Sequence, residues 1–396
     1  MIRHLLKLVW NRKRTHLLIV AEMFLSFIVV FALLVTGLHF FRLYRIPMGF
    51  DHENVWRISV DRESAREEWG VEEAQMFRRL HRELESMPEI LSAASADNSP
   101  FSGSQSTTVW EQGGSDIRTE EATASSQYLE TLKLELIEGR WFEPGDHTLN
   151  WQPVVIDQRL AEQLVGDGDA LGFVLDPGNG VIERRVIGVI TGFRRGGPFA
   201  APMAFMFRPA LEESDTAPHM SRFVIRLVEG TGAEFEERMI DRLQSIAHGW
   251  TFTTRTLENQ RKAKIQERMV PLAIVGTIGT FLLIMVVLGL TGVMWQNVVR
   301  RTREIGLRRA TGAHRSSIHR QIVLEVVITA LFGVLLGVAL AAQLPIIGPF
   351  TMVPVAVVIQ AIVVSTLFLL TVAGLCGLYP GLSATRILPA EALHYE

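Results

Sequence analysis

A single cysteine, Cys376, stands in 396 residues, so no intrachain disulfide can staple any part of this chain. No G-x-x-x-x-G-K-[ST] phosphate loop occurs, and no G-x-S-x-G elbow, which removes two common signatures of nucleotide binding and acyl transfer. Histidines are scattered: His81, His147, His219 and His248 do not give the i, i+4 spacing of a helical zinc site. Asp167 and Asp169 in GDGDALG supply only half of a calcium loop, and the segment reads as a polar turn. Paired acids such as Glu67–Glu68 and Glu236–Glu237 belong on solvated helix faces. No catalytic constellation and no metal site is expected, and the chain reads as a non-enzyme.

Charge is nearly missing from four long stretches, His16–Phe41, Met269–Val299, Ile322–Leu344 and Val353–Leu378. Each is long enough to cross a hydrocarbon core of about 30 Å as a helix rising ~1.5 Å per residue. Between the first and the second lies a polar segment of more than two hundred residues. The fold class is therefore an α-helical membrane protein with four transmembrane helices and an α+β domain inserted between the first two. The layout is a leader (1–15), span one (16–41), an outer domain with its stalk (42–268) and span two (269–299). A basic segment (300–321), span three (322–344), a short outer loop (345–352), span four (353–378) and a tail (379–396) follow.

The charges that remain orient this layout. Lys and Arg flanking spans stay cytoplasmic. The leader carries Arg3, Lys7, Arg12, Lys13 and Arg14 with no acid. The connection between spans two and three holds Arg300, Arg301, Arg303, Arg308, Arg309, Arg315 and Arg320 against Glu304 alone, and the tail has Arg386. An even number of crossings puts these on one side, so both termini are expected to be cytoplasmic. Residues 42–268 hold 37 Asp and Glu against 26 Lys and Arg, a formal net charge of −11. That sign disfavours nucleic acid, which needs a concentrated positive surface. The first apolar run exceeds the about 7–15 residues of a signal peptide and no small-residue cleavage site follows it, so it reads as an uncleaved anchor.

In the outer domain, Asn54–Val60 alternates as a half-buried strand, and Met76, Leu80, Leu84 and Met87 then mark a helix that Pro88 ends. Phe223, Ile225 and Leu227 repeat the strand, and Phe235, Met239, Leu243 and Ile246 repeat the helix. Two strand–helix pairs at the ends suggest a repeated α+β unit with a more β-rich insertion holding Val154–Ile156, a helix Gln158–Leu164 and Arg185–Ile190. Pro100–Gly114, rich in Ser and Gly, reads as a mobile loop. Leu257–Arg268 has strong helix formers, so span two is expected to continue outward as a helical stalk.

Small residues at four-residue spacing let helix backbones approach in lipid. Gly333, Gly337 and Ala341 do this in span three, Ala373 and Gly377 in span four, and Gly276, Gly279, Gly289 and Gly292 dot span two. These faces serve contacts within the chain or with another subunit. Glu22 and Glu325 lie within about two turns of the cytoplasmic edge, where snorkelling or pairing with a nearby basic residue accounts for them. In Arg300–Gln321, a basic stretch suited to anionic membrane lipid, Glu304 can pair with Arg308 at i+4. Gly312 can end that helix, and Ser316 or Ser317 can cap the next.

The segment RTREIGLRRATGAHRSSIHRQIVLEVVITALFGVLLGVAL resembles the signature region of the FtsX-like permeases of ABC transporters, the group with the MacB macrolide exporter and the lipoprotein-release permeases. SSQYLETLKLELIEGRWFEPGD, PVVIDQRLAEQLVGDGDALG and RVIGVITGFRRG are similar to the MacB-type periplasmic core domain, and YPGLSATRILPAEALHYE to the family's ending. The resemblance implies a permease subunit of a type VII ABC transporter in a bacterial inner membrane, for efflux or mechanotransmission. Its implied partners are a separate cytoplasmic ABC ATPase, which binds the ATP, a second permease chain, and in some systems a periplasmic membrane-fusion adaptor. By position, Arg303, Glu304, Gly306, Arg308, Arg309, Gly312 and Ala313 would form the coupling element against the ATPase. The chain departs from MacB, which carries its ATPase on the same polypeptide; about fifteen residues precede span one here. The outer domain is too large for the cell-division member, and four spans exclude the ten-span bacitracin-resistance type. A membrane-anchored sensor or scaffold acting without transport is the alternative reading.

Overall fold

A computed structural model describes residues 13–62, 70–103, 106–112, 115–175, 183–210, 222–343 and 353–385. The short outer loop 345–352 and the tail beyond residue 385 lie outside them, as does most of the leader. In chain order, helix α1 (Lys13–Tyr44) leads to β1 (Val55–Arg62), α2 (Val71–Glu85), β2 (Ile90–Ala96), β3 (Ser106–Gln112), β4 (Ser115–Ala124) and α3 (Tyr128–Leu132). Then come β5 (Leu136–Gly139), β6 (Gln152–Asp157), α4 (Gln158–Val165), β7 (Val174–Leu175), β8 (Arg184–Ile190) and β9 (Ala204–Pro209). The chain continues through β10 (Arg222–Leu227), α5 (Ala233–Ile246), β11 (Trp250–Thr256) and α6 (Leu257–Arg300). Helices α7 (Thr302–Ala310), α8 (Arg315–Ala341) and α9 (Val355–Thr385) complete it. Two compact units result, one of them Leu43–Arg268 and the other made of the segments on either side.

The first unit is built on one sheet in the order β11-β1-β10-β2-β4-β9-β6-β8-β5, with β3 added to β4 and β7 to β8. The repeated unit read from the sequence is its first half. There β1–α2–β2 and β10–α5–β11 interleave as β11-β1-β10-β2, a split βαβ arrangement with antiparallel neighbours. Strand alternation turns Trp56, Ile58 and Val60 toward Phe77, Leu80 and Leu84 of α2 and Met239 and Leu243 of α5. Phe77 stacks on Phe223 at 4.1 Å between ring centres. Leu80, Leu84 and Leu243 are fully buried, worth about 1.5–3 kcal/mol each.

The halves meet where β2 touches β4 at one register pair, Ala96 with Ala124. Small residues line that seam for a reason. Ala94, Ala96, Ala122 and Ala124 leave space for the rings of Tyr128, Trp141, Phe193, Phe205 and Phe207, which contact one another at 4.7–5.7 Å. In the second half β6 and β8 run parallel, joined by α4 and the short β7, and Asp157 caps α4 by accepting from the Leu160 amide at 2.9 Å. Asp169 accepts from the Leu171 amide, which makes GDGDALG the polar turn expected.

One expectation fails here. Pro100–Gly114 is not a free loop, because Ser106–Gln112 pairs along its whole length with β4 as a hairpin. Thr107, Thr108, Val109 and Trp110 are good strand formers, and their signal was hidden by the flanking Ser and Gly.

The second unit contains four helices long and apolar enough to cross a membrane. Helix α6 is unbroken from Leu257 to Arg300 with Pro271 inside it, so Leu257–Arg268 is helical and continuous with span two. The Thr256 hydroxyl caps its start by accepting from the Asn259 amide. Buried residues Ile19, Met23, Phe27, Phe31 and Val35 recur every fourth position of α1, and Ala361, Ser365, Leu369 and Ala373 do so on α9. Helix α9 packs on α8.

Candidate functional site

The site is built where α6 ends. Arg301 makes the turn, with its amide donating to the Val298 carbonyl, and the Thr302 hydroxyl reaches the Val299 carbonyl at 2.8 Å as α7 begins. Helix α7 lasts nine residues, and Gly312 closes it with φ +95°, a conformation few side chains accept. The Ala313 amide then returns to the Arg308 carbonyl at 2.9 Å, satisfying one of the helix's last acceptors. Helix α8 starts at Arg315 with His314 as its N-cap residue. Ser316 and Ser317 are therefore inside its first turn and cap nothing, contrary to the sequence reading: His314 already has the extended backbone that a cap requires.

Two charged contacts stitch this element together. Arg308 bonds Glu304 four residues earlier and Gln321 of α8 at 3.1 Å. Arg301 grips the Glu325 carboxylate with two bonds, 2.8 and 3.2 Å long, and Glu325 is only 4% exposed. A fork-to-carboxylate pair in a dry setting is held in one geometry. It ties the α6–α7 junction to the third span. Asn297, Arg301, Glu304, Arg308, Gln321 and Glu325 line a narrow cleft of about 30 Å³ between them.

Ile305 and Gly306 are buried, while Arg303, Glu304, Leu307 and Arg308 are exposed, as are Gly312 and Ala313. Arg309 shares the helix, so the expected coupling residues fall on one short helix and the turn after it. Three participants were not singled out from the sequence. They are Arg301, named only as a basic flank and not as the partner of Glu325, Gln321, which pairs with Arg308, and Leu307, 57% exposed among cations. Leu307 carried a signal: a lone leucine four residues after Arg303 and one before Arg308 has no apolar stripe to join.

The small residues expected at helix contacts divide. A Cβ on Gly333 would come within 2.5 Å of the Val20 carbonyl oxygen and one on Gly337 within 2.4 Å of the Phe27 ring, so α8 lies against the backbone of α1. Gly279 faces Val29 and Leu33, Gly289 receives the Glu22 carboxylate, and Gly377 meets Val323 and Val326. Ala341 and Ala373 are fully buried. Gly276 and Gly292 face open space in this chain. Among the described residues no cluster of three or more His, Cys, Asp or Glu is arranged to hold a metal.

Residues 23–265 match the family model of the MacB-like periplasmic core domain, and residues 276–389 that of the FtsX-like permease C-terminal region. The chain is 29% identical over 229 residues to the macrolide export ATP-binding/permease protein MacB of Chromobacterium violaceum, covering 57% of this chain and 35% of that protein. It is 28% identical over 284 residues to the protein of the same name from Bordetella avium, covering 68% and 42%. The chain thus spans about two fifths of the length of these curated relatives. The periplasmic region of MacB from Actinobacillus actinomycetemcomitans aligns with a TM-score of 0.38 and 14% identity, over 56% of this chain and 97% of that one.

Proposed function

The chain belongs to the FtsX-like permease family with a MacB-like periplasmic core domain, and on that premise we propose that it is the membrane subunit of a type VII ABC transporter. A separate cytoplasmic ATPase docks on α7, and its closure moves the spans. Two copies of the permease, or this chain and a related one, flank the pair of ATPases. Both termini and α7 face the cytoplasm, and residues 43–268 act outside the inner membrane. The displacement travels along α6, and the outer domain performs the work of efflux or of signalling to an envelope partner, with a membrane-fusion adaptor as a further partner in a two-membrane envelope.

The observation that supports this best is the rigid mounting of an exposed basic helix. Arg301–Glu325 and Arg308–Gln321 fasten both ends of α7 to the third span, yet Arg303, Glu304, Leu307 and Arg308 remain outward. A lever needs both properties. It must be accessible to a partner, and its displacement must not be absorbed by slack at its base. The alternative of a sensor without transport has no use for such an element.

The test is purification of the full chain in mild detergent from its own host. The proposal expects an ABC ATPase to accompany it, and the exchange Glu304→Arg with Arg308→Glu to remove that companion. The exchange keeps one acid opposite one base within α7, and the Gln321 side-chain amide can donate to the new carboxylate at position 308, so the helix stays fastened while its outer face changes. Recovery of the undiminished complex would take the docking role away from α7. Absence of any ATPase would remove the transporter reading.

A further inference from the structure

A cavity of about 430 Å³ opens in the outer domain at the carboxyl ends of the parallel strands β6 and β8, beside the start of α4. Small-molecule sites typically fall in the range of about 300–1,000 Å³, and the carboxyl edge of parallel strands is where α/β folds commonly place them. Two charged side chains line it although both are nine-tenths buried or more, Asp157 at 1% exposure and Arg194 at 4%. Burying two charges is expensive unless each is answered. Asp157 is answered by the amides of Leu160 and Phe205, at 2.9 and 3.0 Å. Among the described residues Arg194 is answered only by neutral carbonyls: Leu43 at 3.0 Å, Ile46 at 2.7 Å, Pro198 at 2.8 Å and Ala200 at 2.7 Å. Its Nε has no acceptor, and among the described residues no carboxylate lies against it.

The rest of the lining states what could enter. Arg159 stands on the rim at the positive start of α4, next to the unneutralised field of Arg194. Lys133 is already held by Asp51 at 3.1 Å, which among the described residues of the lining leaves the exposed Arg159 to meet an incoming anion. Glu135 and Glu162 stand on the same rim and suit a positive group. Phe50, Phe193, Pro202 and Met203 supply apolar wall between them. Acids and bases both converge, so a simple anion or a simple cation would meet repulsion as well as attraction. A molecule carrying both charges a few ångströms apart would not.

One wall of the cavity is the segment leaving α1, Ile46 to Phe50. Arg194 binds this segment and the α1 end through Leu43 and Ile46, and its own amide donates to Met48 at 2.9 Å. Gly49 is packed so closely that a Cβ there would lie 1.7 Å from the Gly192 carbonyl oxygen. The wall cannot shift alone.

We propose that this cavity binds a small zwitterion, an amino acid or short peptide with a free ammonium and a free carboxylate, and that its occupancy is transmitted through Arg194 to the end of the first membrane-entering helix. The carboxylate meets Arg159, the ammonium meets Glu162 and Glu135, and a side chain rests on Phe50 and Phe193. A ligand that favours one position of the wall must, by linkage, be favoured by it. Binding itself does not depend on the transporter reading; only its consequence for transport rests on that reading.

The experiment uses the full chain in lipid nanodiscs, titrated calorimetrically with trialanine, N-acetyl-trialanine, trialanine amide and O-phosphoethanolamine. Trialanine is expected to bind saturably, and each blocked form at least tenfold more weakly. Arg159→Ala and Glu162→Gln, both on the exposed rim, are each expected to weaken trialanine at least tenfold with an unchanged thermal midpoint in the absence of ligand. Hydrogen exchange of residues 43–50 should slow on addition of trialanine to the wild-type chain. No saturable binding of trialanine, equal binding by the rim variants, or binding of O-phosphoethanolamine alone would overturn the proposal, the last result assigning the cavity to a lipid headgroup. No ATPase enters this test, so its failure is distinct from failure of the docking reading.

Discussion

Replacing Glu325 by leucine should loosen the base of α7 more than any surface change near it. Glu325 is 4% exposed and the Arg301 side chain 16%, and the variant leaves the guanidinium without its counter-charge in a setting that admits little water. Breaking a buried pair by removing one partner costs about 3–5 kcal/mol, and the partial access of Arg301 places this case at the lower end, about 3 kcal/mol. At ~2–4 °C per kcal/mol for a unit of this size, the thermal midpoint should fall by about 6–12 °C. Arg301→Met with Glu325→Leu should recover most of the loss, because a volume-matched apolar pair removes both desolvation penalties. The assay is thermal denaturation of the full chain in one detergent, run for both single variants and the double variant. Single variants within one degree of wild type, or a double variant as low as the two losses added, would refute the reasoning.

Other expectations follow from the same geometry. Arg194→Gln removes most of the bonds that hold the end of α1 to the loop 194–200, and should speed hydrogen exchange at residues 43–48 at least tenfold while leaving β1 and β10 protected. Gly337→Leu drives atoms into the Phe27 ring and should destabilise the spans by about 1–3 kcal/mol, read as a lower midpoint in detergent, whereas Gly276→Leu, facing open space, should change it little in the isolated chain. Burial pushes the Asp157 carboxyl up to about 6, so the folded chain holds a proton there that the unfolded chain has released above about 4. Stability from this group is fully present below pH 4 and falls as pH rises toward 6. Asp157→Asn keeps the two amide bonds and should raise the midpoint at pH 7.5 while matching wild type at pH 4; the same gap at both values would contradict the assignment.

Legibility from sequence followed the range of the interaction. The spans and the split βαβ half were readable because periodicity is local: Trp56, Ile58 and Val60 alternate, and Leu80 and Leu84 sit one turn apart. The hairpin at Ser106–Gln112 was not, since its partner strand supplies the order that its composition conceals. Glu304 with Arg308 was visible at four residues' separation, but Arg301 with Glu325 spans 24, and nothing local says which face of α8 meets that turn. Arg194 reaches Leu43 across 151 residues and had no signal in its neighbours beyond an RRGG turn. The motifs that resemble the family pointed to what periodicity could not, and the match of residues 23–265 to the MacB-like periplasmic core domain bears that resemblance out.

The proposed function requires that force applied to α7 by an ATPase arrive in the outer domain. The direct measurement is fluorescence from a label at Arg242→Cys, an exposed position on α5, in the purified complex with its ATPase in nanodiscs. ATP should change the signal, and the Glu304→Arg, Arg308→Glu exchange should abolish that change. A label that stays silent while the ATPase turns over, or responds equally in the exchanged variant, would contradict the account.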